Sequence, residues 1–172
     1  ADKPPDTLRL SSPKQRRVVY LLHGFSGNAK TWVNIKPELP QIADEKGIIF
    51  VCPDGKNCWY WDSPKNKDVR YETFISSELI KYIDGHYKTV AAPRGRAITG
   101  LSMGGHGALW NAIRHTDVFG AAGSTSGGVD IRPFPKNWMM SEQLGEMETN
   151  KEVWEQHTVI NQLLHSLLLW PN

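Results

Sequence analysis

Short apolar runs recur along this chain at intervals that a helix would fill. Val18–Leu22 and Ile48–Val51 are unbroken by polar residues, as strands buried on both faces should be. Arg96–Thr99 and Ala121–Ser124 are shorter, less purely apolar stretches that read as further strands. Between them the period changes. From Tyr71 to His86 the apolar positions Ile75, Leu79 and Ile83 fall four apart, with Phe74 and Ile80 widening the stripe, which predicts an amphipathic helix. A second helix is expected over Ile35–Lys46, with Pro37 and Pro40 near its start and Gly47 closing it, and a third over Gly105–Ile113. Strands alternating with helices at this spacing predict an α/β fold, a doubly wound and mostly parallel sheet with helices on both faces. Right-handed crossovers would bring the loops that follow the strands to one edge.

The rest of the chain is less periodic. Residues 1–14 are polar and proline-bearing and read as an arm or edge segment. Lys56–Arg70 is a loop rich in aromatics, Asn and Lys, and Gly127–Asn150 has the composition of a lid over a site. Lys151–Gln156 opens a helix, and Ile160–Trp170 carries five leucines that need burial. No internal repeat is evident, and 172 residues fit a single domain.

Chemistry enters at Gly100-Leu101-Ser102-Met103-Gly104, which lies between an expected strand and an expected helix. That is the setting of a G-x-S-x-G nucleophile elbow. The serine takes a strained conformation at the tip of the turn, so the positions two away need almost no side chain. The following helix would aim its first amides at an oxyanion. Cys58-Trp59-Tyr60-Trp61-Asp62 is the other unusual stretch. Flat rings such as Trp59 and Trp61 suit an acyl or sugar pocket, and equally suit anchoring a long loop to the core. Trp138, with Met139 and Met140, fits a pocket roof or ordinary lid packing.

Composition narrows the classes. Twenty basic residues against 18 acidic ones give a formal charge of +2, so neither a nucleic-acid surface nor a polybasic membrane anchor is expected. No apolar run approaches the ~18 residues of a membrane span. Cys52 and Cys58 match no zinc spacing and read as free thiols rather than a local disulfide. None of the six histidines forms an H-x-x-x-H or H-E-x-x-H pair, so no metal site is expected. The chain starts with Ala rather than Met, as a mature secreted end or a mere cut boundary would, and a secreted or periplasmic compartment is the expectation over the cytoplasm.

Three motifs together resemble the esterase D-like branch of the α/β-hydrolases. This branch includes bacterial tributyrin-type, feruloyl and acetyl-xylan esterases and, more distantly, mycolyltransferases. The motifs are Leu21-Leu22-His23-Gly24-Phe25-Ser26-Gly27, Ile98–Ala108 around the elbow, and Phe119–Gly127, and the resemblance runs from about Arg16 to about Asn161. It implies that Ser102 is the nucleophile and that the backbone N–H groups of Phe25 and Met103 form the oxyanion hole. It also implies that His23 is structural. Gly24, Trp59, Trp61 and Trp138 are the expected substrate contacts. The implied activity is hydrolysis of short-chain or carbohydrate-linked acyl esters through an acyl-enzyme, without a cofactor. A catalytically inactive binding or inert module, and acyl transfer to a sugar, are the alternatives.

The family's acid and histidine follow later strands, in the order Ser, Asp or Glu, His. This chain has no G-x-D-D-type turn after residue 150 and no glycine-flanked His near its end. The expectation is a chain lacking two strand–helix units, of roughly 30 residues each, and impaired for want of a base. Asp130 with His157, or Asp117 with His165, have the right order to substitute, whereas His106 and His115 read as packing or capping residues. A missing neighbour would leave Ala121–Ser124 as an open sheet edge. Either the leucine-rich tail covers it, or the chain self-associates there.

Overall fold

The structure, a computed structural model, describes residues 14–168. Four strands form one all-parallel sheet in the order β2-β1-β3-β4. They are β1 (Arg17–Leu22), β2 (Ile48–Val51), β3 (Arg96–Gly100) and β4 (Ala121–Ala122). The chain moves outward from β1 to β2, then returns to the other side of β1 as β3. That reversal opens a crevice at the carboxyl ends of β1 and β3, where doubly wound sheets hold their ligands. Leu22 pairs with Gly100 at the last rung of the β1–β3 ladder, so the two following loops emerge side by side. Tyr20, Leu22 and Ile98 are fully buried at the centre.

The helix expected over Ile35–Lys46 is two helices, α1 (Thr31–Ile35) and α2 (Leu39–Lys46). Pro37 disfavours helical backbone at the residue before it, and Lys36 sits at φ −132°, ψ 79°. Pro40 falls in the first turn of α2, where no N–H is needed. Gly47 closes α2 at φ 64°.

From Tyr71 to His86 the chain is helical, as α3 (Tyr71–Thr73) and α4 (Leu79–His86) joined by a π-turn at Phe74–Glu78. The wider turn inserts a residue into the period. Ile75 and Ile80, five apart, are buried with Ile83, while Leu79 is only half-buried.

Helix α5 (Met103–Arg114) packs on β1 and β3, with every residue from Met103 to Ala108 buried. Short helices α6 (Met140–Leu144) and α7 (Lys151–Gln156) follow. The tail forms α8 (Val159–Leu168). It lies against α5, which corrects the expectation of a tail over the β4 edge: Ala121 and Ala122 are exposed, and so are Leu163 and Leu164. The side chains of residues 165–168, the last leucine and Trp170, and the expected arm at residues 1–13, lie outside the described residues. Cys52 and Cys58 are free thiols.

Candidate active site

Ser102 stands between β3 and α5 with φ 54° and ψ −116°. A non-glycine residue in such a region costs about 1–3 kcal/mol and persists only where its surroundings over-determine it. Three bonds do so here. The Ser102 N–H donates to the Thr125 carbonyl at 2.8 Å, the His106 N–H to the Ser102 carbonyl at 3.0 Å, and the Leu101 N–H to the Leu22 carbonyl at 3.2 Å. The flanking glycines are a requirement of close approach. A Cβ on Gly104 would overlap the Leu22 carbonyl, and one on Gly100 would overlap that of Gly104. Ser102 is exposed, at the head of a 12-residue helix.

The loop after β1 is pressed against this turn. A Cβ on Gly24 would lie 3.2 Å from the Leu101 carbonyl oxygen and 3.5 Å from Ser102 Cβ. Gly24 to Gly27 is a tight turn, closed by a 3.0 Å bond from the Gly27 N–H to the Gly24 carbonyl, with Ser26 at φ 62°. The Asn57 side chain accepts from the Ser26 N–H at 2.8 Å and fixes the turn. The amides of Phe25 and Met103 donate to no acceptor among the described residues. His23 is buried and fully used: its Nδ1–H donates to the Gly24 carbonyl at 2.7 Å, and its Nε2 accepts from the Gly55 N–H at 2.9 Å.

Ser102 opens on a cavity of about 200 Å³ whose walls include Phe25, Trp59, Ile131, Phe134 and Trp138. Segment 127–150 supplies much of that wall. The Trp59 indole N–H donates to the Trp138 carbonyl at 3.0 Å, tying the aromatic loop to the roof. Both tryptophans have positive φ, 56° and 50°, unusual for bulky residues. Trp61 is not in the cavity wall, which corrects its expected place. It is 0 % exposed and stacks behind Trp59 at 5.5 Å between ring centroids.

No histidine or carboxylate among the described residues hydrogen-bonds the Ser102 hydroxyl. His106 is wholly buried and holds its proton on Nδ1, donated to the Gly128 carbonyl at 2.7 Å, while Nε2 accepts from the Trp61 indole at 2.9 Å. Burial lowers it to about 4, the loss of solvation outweighing the help of the Gly128 carbonyl. His157 donates Nδ1–H to the Val153 carbonyl at 2.7 Å and stacks on Trp110; burial lowers its pKa too.

Asp130 borders the cavity but is clamped by Arg132, not His157. The proposed Asp130–His157 substitute is therefore not assembled. Asp117 is exposed in the turn after α5, and the side chain of its candidate partner His165 lies outside the described residues. His115 belongs to a separate cluster, donating from Nε2 to Glu72 at 2.8 Å. Burial alone would raise the Glu72 carboxyl, but bonds from His115, Arg114 and the Trp110 indole, with the Arg114 charge, hold it down at about 2. Among the described residues no group of three or more His, Cys, Asp or Glu side chains is gathered as a metal site requires, and no helix is long and apolar enough to cross a membrane.

Asn57 and Phe134 were not legible as site residues, and Asp130 was legible only as a possible triad acid, not as part of the cavity wall. Asn57 meets Ser26 across 31 positions, and Asp130 and Phe134 lie in a segment without a period.

A parallel sheet with a strained serine at its switch point, and a second loop turning unused amides beside it, defines an α/β-hydrolase. The chain belongs to the Esterase family, whose model matches residues 4–166. It is 33% identical over 131 residues to the esterase Rv1288 of Mycobacterium tuberculosis, an alignment covering 74% of this chain and 28% of that protein. Among solved structures it resembles the fluorophosphonate-binding serine hydrolase FphF of Staphylococcus aureus, with TM-score 0.81, 19% identity, and coverage of 93% of this chain and 62% of that one. It also resembles a ferulic acid esterase, with TM-score 0.68, 27% identity, and coverage of 88% and 60%. The chain thus spans less than two thirds of the length of each, and 28% of the first.

Proposed function

We propose that this chain carries the nucleophile and oxyanion hole of a serine carboxylic-ester hydrolase. The observation that supports this best is the backbone of Ser102, held at φ 54° and ψ −116° with its hydroxyl exposed beside an aromatic cavity. Ser102 attacks the ester carbonyl, and the Phe25 and Met103 amides receive the negative charge that develops on its oxygen. The alcohol leaves, and water releases the acid from the acyl-enzyme. Gly24 lets the main chain approach the reacting carbon, while Trp59 and Trp138 hold the group in the cavity, with segment 127–150 acting as lid. A cavity of about 150 Å³ accepts a benzene ring, so one of about 200 Å³ takes a short acyl chain or a single substituted ring. Short-chain or carbohydrate-linked esters are the substrate class.

The proton acceptor comes from outside the described residues, because every described histidine near the elbow has its ring nitrogens committed elsewhere. That same observation favours a second reading, an inactive hydrolase fold acting as a binding module. Turnover of nitrophenyl acetate, with and without added imidazole, separates the two. Ser102-dependent hydrolysis that imidazole accelerates supports a hydrolase short of its base. No hydrolysis, together with no labelling by a fluorophosphonate, rejects it. The open β4 edge, with Ala121 and Ala122 exposed, supports self-association; a clean monomer on size-exclusion chromatography contradicts that part.

A further inference from the structure

We propose that Asp130 is a specificity-determining residue, accepting a hydrogen bond from a hydroxyl on the group that occupies the cavity beside Ser102. The inference rests on the ester-hydrolase reading above and specifies its substrate: a neutral ester whose pocket-bound portion carries a free hydroxyl.

Among the described residues, Asp130 is the one carboxylate bordering a cavity otherwise walled mainly by rings and aliphatic carbon. Its carboxylate is held by Arg132. Oδ1 accepts from the Arg132 backbone N–H at 3.1 Å and from Nε–H at 2.8 Å, and Oδ2 accepts from an Nη2–H at 2.8 Å. A carboxylate offers about four lone-pair sites, so one on Oδ2 remains. The guanidinium is itself held, since its Nη1–H donates to Glu155 on α7 at 2.7 Å. The free acceptor is therefore preorganised rather than a swinging side chain. The hydrogen bonds from Arg132 hold the Asp130 carboxyl below its ordinary range, so near neutral pH it is ionised and can only accept.

An acceptor of this kind welcomes O–H, disfavours an ether in the same place, and repels a carboxylate. Sites built to bond a hydroxyl can reject its absence strongly. Asp130 is 36% exposed, so water softens the discrimination to about tenfold.

Tryptophan fluorescence of the full chain, titrated with methyl hydroxyphenylpropanoate, its methyl ether and its carboxylate analogue, tests this. The expected result is about tenfold tighter binding of the phenol than of the ether, weaker binding still of the carboxylate, and a phenol-to-ether ratio collapsing toward one in Asp130→Ala. Equal binding of phenol and ether to the unmodified chain, or an unchanged ratio in a folded Asp130→Ala, overturns the proposal. If the alanine variant fails to fold, the ratio in the unmodified chain decides alone. Equal binding with Ser102 still labelled by fluorophosphonate sinks only the role of Asp130. No binding together with no labelling sinks the ester-hydrolase reading as well.

Discussion

The Trp61 indole N–H meets Nε2 of His106 at 2.9 Å, four residues along α5 from Ser102, and this bond fixes the tautomer of the histidine nearest the nucleophile in sequence. With Nδ1–H given to the Gly128 carbonyl, the imidazole has no lone pair left for a serine proton. His106 joins the aromatic loop, the elbow helix and the backbone at Gly128 into one neutral, buried unit.

Stability should carry the mark of that burial. His106 is lowered to about 4 in the fold, against about 6.5 for an unfolded chain. Between those values the unfolded state takes up the proton first, so stability falls as pH drops through the window and is fully present above it. The loss is at most about 3 kcal/mol, and His157 adds to it in the same direction. Glu72, at about 2 in the fold, contributes stability that is present above about 4.5 and lost as pH falls further. Urea midpoints measured from neutral to acid pH should show both losses, and His106→Gln should shrink only the upper one, leaving the part due to His157.

Trp61 and Trp138 should behave oppositely. Trp61→Ala removes a side chain that is 0 % exposed and should cost about 3–5 kcal/mol in chemical denaturation. Trp138 is 44% exposed, so Trp138→Ala should leave the midpoint nearly unchanged while weakening binding of aromatic esters by fluorescence titration.

Gly104→Ala places a methyl group against the Leu22 carbonyl. Main chain on both sides leaves little room to yield, so the variant should lose about 1–3 kcal/mol and most of its reactivity toward fluorophosphonate. Denaturation and labelling on the same preparation measure both.

Asn57→Ala should spare the fold and impair the oxyanion loop, because the Asn57 side chain accepts the Ser26 N–H in that loop. One hydrogen bond of about 1 kcal/mol corresponds to roughly a fivefold slower reaction at Ser102. The rate of phosphonylation, compared with that of Asn57→Asp, reads it.

Strand cores and the elbow were legible because each depends on adjacent residues: the unbroken run Val18–Leu22 and the spacing Gly100, Ser102, Gly104 carry their own local logic. The break after Ile35 was written in Pro37 but masked by the apolar period around it. The π-turn at Phe74–Glu78 was not legible, since a stripe containing both Leu79 and Ile80 fits either phase. The aromatic loop was harder. Trp59 and Tyr60 take positive φ, 56° and 60°, so no periodicity separates the cavity-facing Trp59 from the core-facing Trp61. The Asn57–Ser26 contact depends on how two loops 31 residues apart meet, which no spacing rule encodes.

The central claim is a hydroxyl at Ser102 placed for attack, with two amides poised for its oxyanion and its base supplied from outside the described residues. Intact-mass analysis after exposure to a fluorophosphonate with imidazole supplied as base, on the unmodified chain and on Ser102→Ala, tests it most directly. The account predicts a single adduct on the unmodified chain, located at Ser102, and none on the variant. No adduct on either, or the same adduct on both, would contradict it.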